Sequence, residues 1–185
     1  MDIVSICGSL RNASNSRIIE SVLQSLAPAG MRIISAPPIG EIPFYKHDVQ
    51  VEQGFPSSVD NLAKAIRAAD GVIIVSPEYN WSVPGALKNA LDWVSRMQEQ
   101  PLKNKPVALQ SSSPGPLGAS RMQYHLRQVL ASMDALALTK PEIFVTFVGT
   151  KIDIVRRELT DDATRDIIKQ QLVAFGDFIS YARPS

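Results

Sequence analysis

The sequence predicts an α/β fold, a three-layer sandwich in which helices cover both faces of a parallel five-stranded sheet with strand order 2-1-3-4-5. Short β-rich runs alternate five times with longer segments of helical periodicity, which is typical of βαβ units with right-handed crossovers. The run 71–76, "GVIIVS", has four consecutive β-branched residues, as expected for a strand buried on both faces. A chain of 185 residues suits one domain, 1–185, with one sizeable core.

Each predicted element is defined by its apolar spacing or by its β-branched content. The first half comprises strand Asp2–Cys7, a helix with apolar Ile18, Ile19, Val22, Leu23 and Leu26, strand 31–36, a proline-punctuated irregular stretch 37–56, and a helix from about Ser58 that ends before Gly71. The second half comprises strand 71–76, a helix from Val83 to about Met97, strand 106–111, a helix from about Ala119 to Met133, strand 142–148, and a last helix from about Asp162 to Tyr181.

Composition excludes several classes of function. Apolar residues make up 45% and charged residues 20%, and the net charge is +1, so there is no basic footprint for nucleic acid. Cys7 is the single cysteine, which we interpret as a small buried side chain, and the two histidines, His47 and His125, form no zinc pattern. The N-terminus does not resemble a signal peptide, and no apolar run approaches the roughly 20 residues that span a bilayer. We therefore expect a cytoplasmic protein with a small-molecule site and no membrane partner.

Three loops follow predicted strands one, three and four, and all are rich in Gly, Ser, Asn or Pro. They are "GSLRNASNS" (8–16), "SPEYNWSVPG" (76–85) and "SSSPGPLG" (111–118). In parallel sheets of this order, ligands bind beyond the carboxyl ends of the strands, where the strand order reverses. We therefore expect the three loops to form one site.

The first loop has the chemistry of a cradle for one phosphate group. Ser14, Asn15 or Ser16 could each cap the following helix, whose N-terminal N–H groups and partial positive charge favour an anion. Arg11 adds a fixed cation whose planar fork matches phosphate oxygens. The loop contains neither a Walker motif nor a G-x-G-x-x-G fingerprint. The alternative is an ordinary capped βα turn.

The second loop places Tyr79, Asn80 and Trp81 after the central strand. Ser82 is expected to cap the next helix, with Pro84 in its first turn, where a missing N–H costs nothing. Such a tip offers flat apolar surface and backbone donors for a planar heteroaromatic ring. The alternative is that the aromatic side chains merely pack the loop.

The third loop could supply hydroxyl groups and close backbone approach at the far edge of the same ring, through Ser111, Ser112, Ser113 and Gly115. The alternative here is a flexible Ser/Pro turn.

Three motifs together carry a family resemblance: "GSLRNASNS", "PEYNWSVPGALKNALDWVSR" and "QYHLRQ". The chain resembles the NADPH-dependent FMN reductase family and, within it, the bacterial chromate and quinone reductases. The resemblance implies a flavodoxin-like fold that binds FMN without a covalent bond. It implies an FMN phosphate site at Ser9, Leu10, Arg11, Ser14, Asn15 and Ser16, and a site for the isoalloxazine ring at Pro77, Glu78, Tyr79, Asn80 and Ser112.

The sequence departs from the family pattern at two places. Relatives often carry an apolar residue and then Asn where this chain has Asn15 and Ser16, and they often carry Tyr or another residue at Trp81. The first departure affects local geometry at the phosphate, and the second affects how the pocket shapes its second substrate.

The implied activity is reduction of a small-molecule acceptor by NADPH or NADH through bound FMN, in a ping-pong order. A quinone, chromate, an azo compound, a ferric chelate or free flavin could be the acceptor. Backbone N–H groups near Glu78–Asn80 would stabilise charge on the reduced ring. We assign no protein catalytic residue and no metal ligand.

Two other classes stay open: an FMN-bearing electron shuttle without its own substrate, and a phosphate-binding regulator without flavin. Shuttles usually present a strongly acidic face, which a chain with a net charge of +1 lacks. The apolar content of 121–138 predicts an exposed patch and hence association. The resemblance implies a homodimer or homotetramer, with Arg121, Tyr124 and Glu142 able to form hydrogen bonds between subunits.

Overall fold

A computed structural model describes residues 1–182 and contains a mostly parallel sheet between two layers of helices. The strands are β1 Asp2–Cys7, β2 Arg32–Ser35, β3 Gly71–Ser76, β4 Pro106–Ser112, β5 Leu136–Ala137, β6 Ile143–Val145, β7 Ile152–Asp153 and β8 Glu158–Leu159. The helices are α1 Asn15–Leu26, α2 His47–Gln53, α3 Ser57–Ala68, α4 Gly85–Val94, α5 Ser120–Ala131 and α6 Asp162–Ala182.

The main sheet has the order β2-β1-β3-β4-β5, which confirms the predicted order. All of its pairings are parallel, and the register is set by apolar residues: Ile3 and Val4 of β1 lie beside Gly71 and Val72 of β3. Strand order reverses between β1 and β3, so a crevice for a ligand is expected at their carboxyl ends.

Two apolar clusters hold the layers together, one on each face of the sheet. Helices α1 and α6 bury Ile19, Leu23, Leu172 and Phe175 against one face, and all four side chains are fully or almost fully buried. Helices α3, α4 and α5 cover the other face with Leu62, Ile66, Leu87, Leu91 and Leu126. Because alternate residues of a strand point to opposite faces, Ile73 and Val75 belong to the first cluster and Val72 and Ile74 to the second.

Predicted strand 142–148 proved wrong in its bounds. Two short strands, β5 and β6, share the edge of β4: β5 pairs with Pro106 and Val107, and β6 pairs with residues 110–112. Phe147 adopts a left-handed conformation (φ 47°) and begins a 3-10 turn, Val148–Thr150, so the strand cannot continue. A small antiparallel pair, β7 with β8, follows and was not predicted.

Segment 37–56 also contains more regular structure than predicted. It holds a 3-10 turn at Ile39–Glu41 and the short helix α2, whose described residues include no buried side chain. A helix without a buried face lacks the amphipathic pattern by which helices are recognised in a sequence.

The apolar excess of segment 121–138 is mostly internal, which corrects the expectation of an exposed patch there. Its buried apolar side chains are Met122, Leu126, Leu130 and Met133. Tyr124 is a large apolar side chain on α5 that remains half exposed. Within residues 1–182, no helix combines the length and apolar character that crossing a bilayer requires.

Candidate functional site

The first residue of the loop after β1, Gly8, packs closely against the end of β3. The N–H of Gly8 donates to the carbonyl oxygen of Val75 over 2.9 Å. A Cβ at Gly8 would lie only 2.3 Å from the Oγ of Ser76, so no larger residue fits this position. The close approach fixes the start of the loop at the carboxyl edge of the sheet.

Ser14 is the N-cap of α1, among the three candidates that the sequence offered. Its backbone is extended, and its Oγ accepts a hydrogen bond from the N–H of Arg17 over 3.2 Å. The first intrahelical hydrogen bond is donated by Ile18, so the N–H groups of Asn15 and Ser16 precede it and point out of the helix end. The first turn carries no acidic side chain, which leaves the positive end of the helix dipole available to an anion.

Ser9 and Arg11 complete this side of the site, whereas Leu10 turns away from it. The Oγ of Ser9, itself buried, accepts from the N–H of Arg11 over 3.4 Å, and Arg11 is exposed. Leu10 packs toward the 3-10 turn instead: a Cβ at Gly40 would lie 3.0 Å from its Cδ2.

The loop after β3 forms a tight hairpin-like turn. Tyr79 and Ser82 exchange two backbone hydrogen bonds, of 3.1 and 3.0 Å, around the two residues between them. Both of those residues are left-handed, Asn80 with φ 49° and Trp81 with φ 65°. This pairing is that of a two-residue turn of type I′.

The expected cap of α4 is wrong. The helix begins at Gly85, with Pro84 as its N-cap and no side-chain cap. Ser82 is engaged elsewhere, because its backbone pairs with Tyr79 and its Oγ lies 3.0 Å from the Nδ1 of His125. The turn thus displaces the helix start toward the C-terminus.

The Glu78 carboxylate ties this turn to the start of α5. It accepts a hydrogen bond from the N–H of Met122 over 3.0 Å and lies 3.8 Å from a guanidinium nitrogen of Arg121. The guanidinium carbon of Arg121 in turn lies 4.2 Å from the centroid of the Trp81 ring. The Glu78 carboxylate is therefore engaged by the start of α5, although the residue also lines the cavity.

The loop after β4 contributes Ser112 and Ser113 but not Ser111. The Ser111 hydroxyl is buried and donates to the carbonyl oxygen of Gly118 over 2.6 Å, which gives it a structural role. The Oγ of Ser112 lies 3.4 Å from the Oγ of Ser16. Ser113 is anchored through its N–H to the carbonyl oxygen of Val145 over 3.1 Å.

Together the three loops enclose a cavity of about 300 Å³, at the lower end of the range of small-molecule sites. Of the eleven residues predicted for the site, Leu10 and Asn80 do not line it; Asn80 instead forms the turn. The lining comprises Ser9, Arg11, Ser14, Asn15, Ser16, Pro77, Glu78, Tyr79, Ser112, Ser113 and Pro114. Pro114 was not predicted for the site, although it belongs to the third loop, which was expected to contribute.

The donor chemistry of the cavity fits FMN. The first loop supplies the hydroxyls of Ser9, Ser14 and Ser16, the N-terminus of α1 and the guanidinium of Arg11, a set that suits a phosphate dianion. Segments 77–79 and 112–114 form the rest of the lining and supply backbone and an aromatic side chain for a flat ring. Among the described residues no group of three or more His, Cys, Asp or Glu could hold a metal ion.

A small polar cluster lies beneath the first loop. Burial raises the pKa of the Cys7 thiol, so this cysteine is a neutral core side chain, as predicted. Burial also raises the pKa of Glu20, although a 2.8 Å hydrogen bond from the Ser5 hydroxyl and the nearby Arg17 both favour its charged form.

Arg121 and Glu142, expected to reach another subunit, have partners within the chain. Arg121 contacts Glu78 and Trp81, whereas Glu142 lies 2.7 Å from Lys140 and 4.0 Å from Arg127. The pairings of Arg121 with Glu78 and Trp81 were not readable from the sequence, because they join residues about 40 positions apart.

Comparison with known proteins finds reductases that are similar in sequence over nearly the whole chain. The chain is 49% identical over 179 residues to a quinone reductase of Escherichia coli strain K12, across 97% of this chain and 95% of that protein. It is 44% identical over 173 residues to an NAD(P)H-dependent FMN reductase of Pseudomonas aeruginosa, across 93% of this chain and 91% of that one.

A solved structure is similar over the same extent. The flavoenzyme FerB, an NAD(P)H:(acceptor) oxidoreductase from Paracoccus denitrificans, superposes with a TM-score of 0.86 at 31% identity and covers 98% of both chains. The family model of NADPH-dependent FMN reductases matches residues 1–149, which include all three loops of the site. The chain therefore belongs to the NADPH-dependent FMN reductase family.

Proposed function

We propose that this protein is an FMN-dependent NAD(P)H oxidoreductase that reduces quinones. The observation that carries the proposal is the convergence of three loops on one cavity, whose lining combines a phosphate-type donor set with Pro77, Tyr79 and Pro114. The names of its relatives, quinone reductase and NAD(P)H-dependent FMN reductase, support the same activity.

The first loop would bind the phosphate. The hydroxyls of Ser9, Ser14 and Ser16, with the first-turn N–H groups of α1, donate hydrogen bonds, and Arg11 adds charge at the open side. Ser14 also caps the helix, so the same residue fixes the helix end and contributes to the site. Leu10 would act indirectly, by packing the loop against Gly40.

The other loops would hold the isoalloxazine ring. Pro77, Glu78 and Tyr79 line the cavity on one side and Ser112 on the other. The N–H of Tyr79 is already bonded to Ser82 and Asn80 does not line the cavity, so stabilisation of charge on the ring would come from the N–H of Glu78.

Among the described residues, Glu78 is the carboxylate that lines the cavity, and it is bound to α5. The chain would therefore contribute binding and electrostatics rather than an acid or base. When bound, FMN would supply the redox chemistry between NADPH or NADH and the acceptor, in two half-reactions. An open cavity of this kind would also admit chromate, azo compounds, ferric chelates or free flavin. The need for a reduced nicotinamide supports a cytoplasmic location.

A homodimer or homotetramer is part of the proposal. Tyr124 and Phe147 are each about half exposed, at 51% and 52%, and large aromatic side chains at a surface favour contact with a partner. Light scattering during gel filtration would give the mass in solution.

The test starts with protein purified with excess FMN and then desalted. We expect a yellow protein that NADPH or NADH reduces once without acceptor under anaerobic conditions, and that turns over repeatedly only when a quinone is added, with parallel lines in double-reciprocal plots. Colourless protein would contradict the cofactor assignment. A yellow protein that NAD(P)H does not reduce would favour the electron shuttle instead.

A further inference from the structure

The start of α5 is fixed against the ends of β4 and β6. Gly118 and Ala119, the two residues before the helix, are both left-handed, with φ 56° and 65°. A Cβ at Gly118 would lie 2.7 Å from the carbonyl carbon of Phe144, so the chain passes directly against β6 at this point. The Ser111 hydroxyl donates to the carbonyl oxygen of Gly118 over 2.6 Å, which attaches the same point to β4.

Gln123, in the first turn of α5, is a fully buried amide that bonds to both strands. Its Nε2 donates to the Oγ of Ser111 over 2.9 Å and to the carbonyl oxygen of Ile143 over 2.8 Å. Burial of an amide costs free energy that hydrogen bonds of this kind offset. The Gln123 side chain thereby holds Ser111, whose chain neighbour Ser112 lines the cavity.

Met122, the residue before Gln123, bonds to the second loop. The N–H of Gln123 donates to the carbonyl oxygen of Ala119 over 3.4 Å, whereas the N–H of Met122 precedes the hydrogen-bond ladder of the helix. It donates instead to the Glu78 carboxylate over 3.0 Å. Glu78 also lines the cavity, so this bond connects the helix directly to the site.

The second loop has another attachment one turn further along α5. The Oγ of Ser82 lies 3.0 Å from the Nδ1 of His125. Glu78 precedes the turn of the second loop and Ser82 ends it. Both ends of the turn are therefore attached to the same helix.

The second and third loops thus share one support, which the first loop does not use. Consecutive residues of α5 hold Glu78 directly and Ser112 through its neighbour Ser111. The first loop is attached separately, by the bond from the N–H of Gly8 to β3 and by the Ser14 cap of α1. A flat ring that contacts both the second and the third loop depends on the distance between them, because dispersion contacts weaken when atoms separate by roughly 0.5–1 Å.

We propose that Gln123 is a positioning residue of the flavin site: through Ser111 it fixes the third loop relative to the second, and so determines how tightly the isoalloxazine ring is held. This inference rests on the proposed function and concerns the ring part of the same site. Gln123 itself does not line the cavity, so it acts only through the loop that it holds. Binding of the phosphate should not depend on it, because the first loop has its own attachments.

The test compares three ligands that share one ring system: lumiflavin, which is the ring alone, riboflavin and FMN. Q123M keeps the length of the side chain without its donors, and S111A removes the hydroxyl that Gln123 holds. We expect Q123M and S111A each to weaken all three ligands by the same factor, about three- to tenfold, as measured by fluorescence titration of the apoprotein. The ratio of FMN affinity to riboflavin affinity should stay within twofold of the parent. The double variant Q123M/S111A should be no more than twofold weaker than Q123M, because both substitutions remove the same bond.

Q128M is the matched control, since it makes the same exchange on α5 at an exposed position and should leave all three affinities within twofold. The visible absorption spectrum of bound FMN is the second readout. In Q123M it should shift toward the spectrum of free FMN, whereas a loss of stability alone would leave the spectrum of the folded holoprotein unchanged. If Q123M does not fold, S111A carries the same test, because it removes a single oxygen atom.

Unchanged affinities for lumiflavin and riboflavin in the variants, or a loss confined to FMN, would overturn the proposal. An effect of Q128M equal to that of Q123M would do so too, since the helix as a whole would then be responsible. A lower mass of Q123M in light scattering would also count against it, because the effect would then pass through association of subunits. Parent protein that binds no FMN contradicts the proposed function, whereas parent protein that binds FMN beside variants with unaltered ring affinity contradicts the role of Gln123 alone.

Discussion

The hydroxyl oxygens of Ser16 and Ser112 lie 3.4 Å apart, although β1, which leads to the first serine, and β4, which ends in the second, are not neighbours in the sheet. Strand β3 runs between them, so the contact passes over its carboxyl end. Both side chains are buried and line the cavity. The contact therefore joins the loop after β1 to the end of β4 across the cavity.

We expect S16A and S112A each to weaken FMN binding while changing the free energy of unfolding by less than about 0.5 kcal/mol, because a 3.4 Å contact between two hydroxyls is weak. S16A should cost about tenfold in affinity, through loss of a donor to a charged group. Fluorescence titration of the apoprotein with FMN gives the dissociation constants, and urea denaturation gives the stability. A large loss of stability with unchanged affinity would show that the contact is purely structural.

The role of Arg11 is tested with two ligands that differ by one phosphate. R11A should weaken FMN binding about 10- to 100-fold and leave riboflavin binding nearly unchanged, because the guanidinium would contact only the phosphate. Arg17 provides the matched control: it lies three residues after the cap, pairs with Glu20 and does not line the cavity. If R17A and R11A had equal effects on FMN, the assignment of the phosphate to Arg11 would be wrong.

The sequence was sufficient for the strand order of the main sheet and for the three loops that line the cavity. The β-branched run of β3 and the amphipathic spacing of α1 are local signals, and five alternations of such signals favour this strand order because right-handed crossovers exclude most others. Ser14 was one of three possible caps, because Asn15 and Ser16 have nearly equal preference for that position and only the backbone dihedral angles distinguish them.

Features that depend on distant contacts were not predictable. Nothing near Glu78 shows that its carboxylate binds the N–H of Met122, 44 residues later. The Ser82 cap failed for a similar reason, since a bulky Trp81 gives no sign of the left-handed turn that engages Ser82. The composition of 142–148 predicted a strand that contains β6, but its short bounds depend on pairing with β4 and on the left-handed backbone of Phe147.

G8A should disturb both the fold and the site. The added methyl group would lie 2.3 Å from the Oγ and 2.8 Å from the Cβ of Ser76, and 3.1 Å from Leu87. Because these atoms belong to a central strand and a packed helix, we expect a loss of about 1–3 kcal/mol in stability and weaker FMN binding. The double variant G8A/S76G removes the nearest atoms, and urea denaturation should show a smaller loss than the sum of the single variants. Strict additivity would mean that the clash is relieved by movement of the loop instead.

Glu20 should make stability fall as the pH rises above the ordinary glutamate pKa of 4.5. Its side chain is 3% exposed, and burial raises its pKa in the folded protein against the opposing effects of Ser5, Arg17 and Ser35. Below pH 4.5 the carboxyl is protonated in both states, so it contributes no pH dependence. Above that pH the unfolded chain loses the proton first, which favours unfolding progressively until the folded state also ionises.

E20Q removes this loss while its amide oxygen can still accept from the Ser5 hydroxyl. We expect the stability advantage of E20Q over the parent to grow from pH 4.5 upward and then to level off above the raised pKa, as measured by urea denaturation at a series of pH values. E52Q, which alters an exposed carboxylate on α2, should show no such trend. An advantage that shrinks with rising pH would mean that attraction to Arg17 outweighs burial, because the pair is then worth more than the desolvation of the carboxylate.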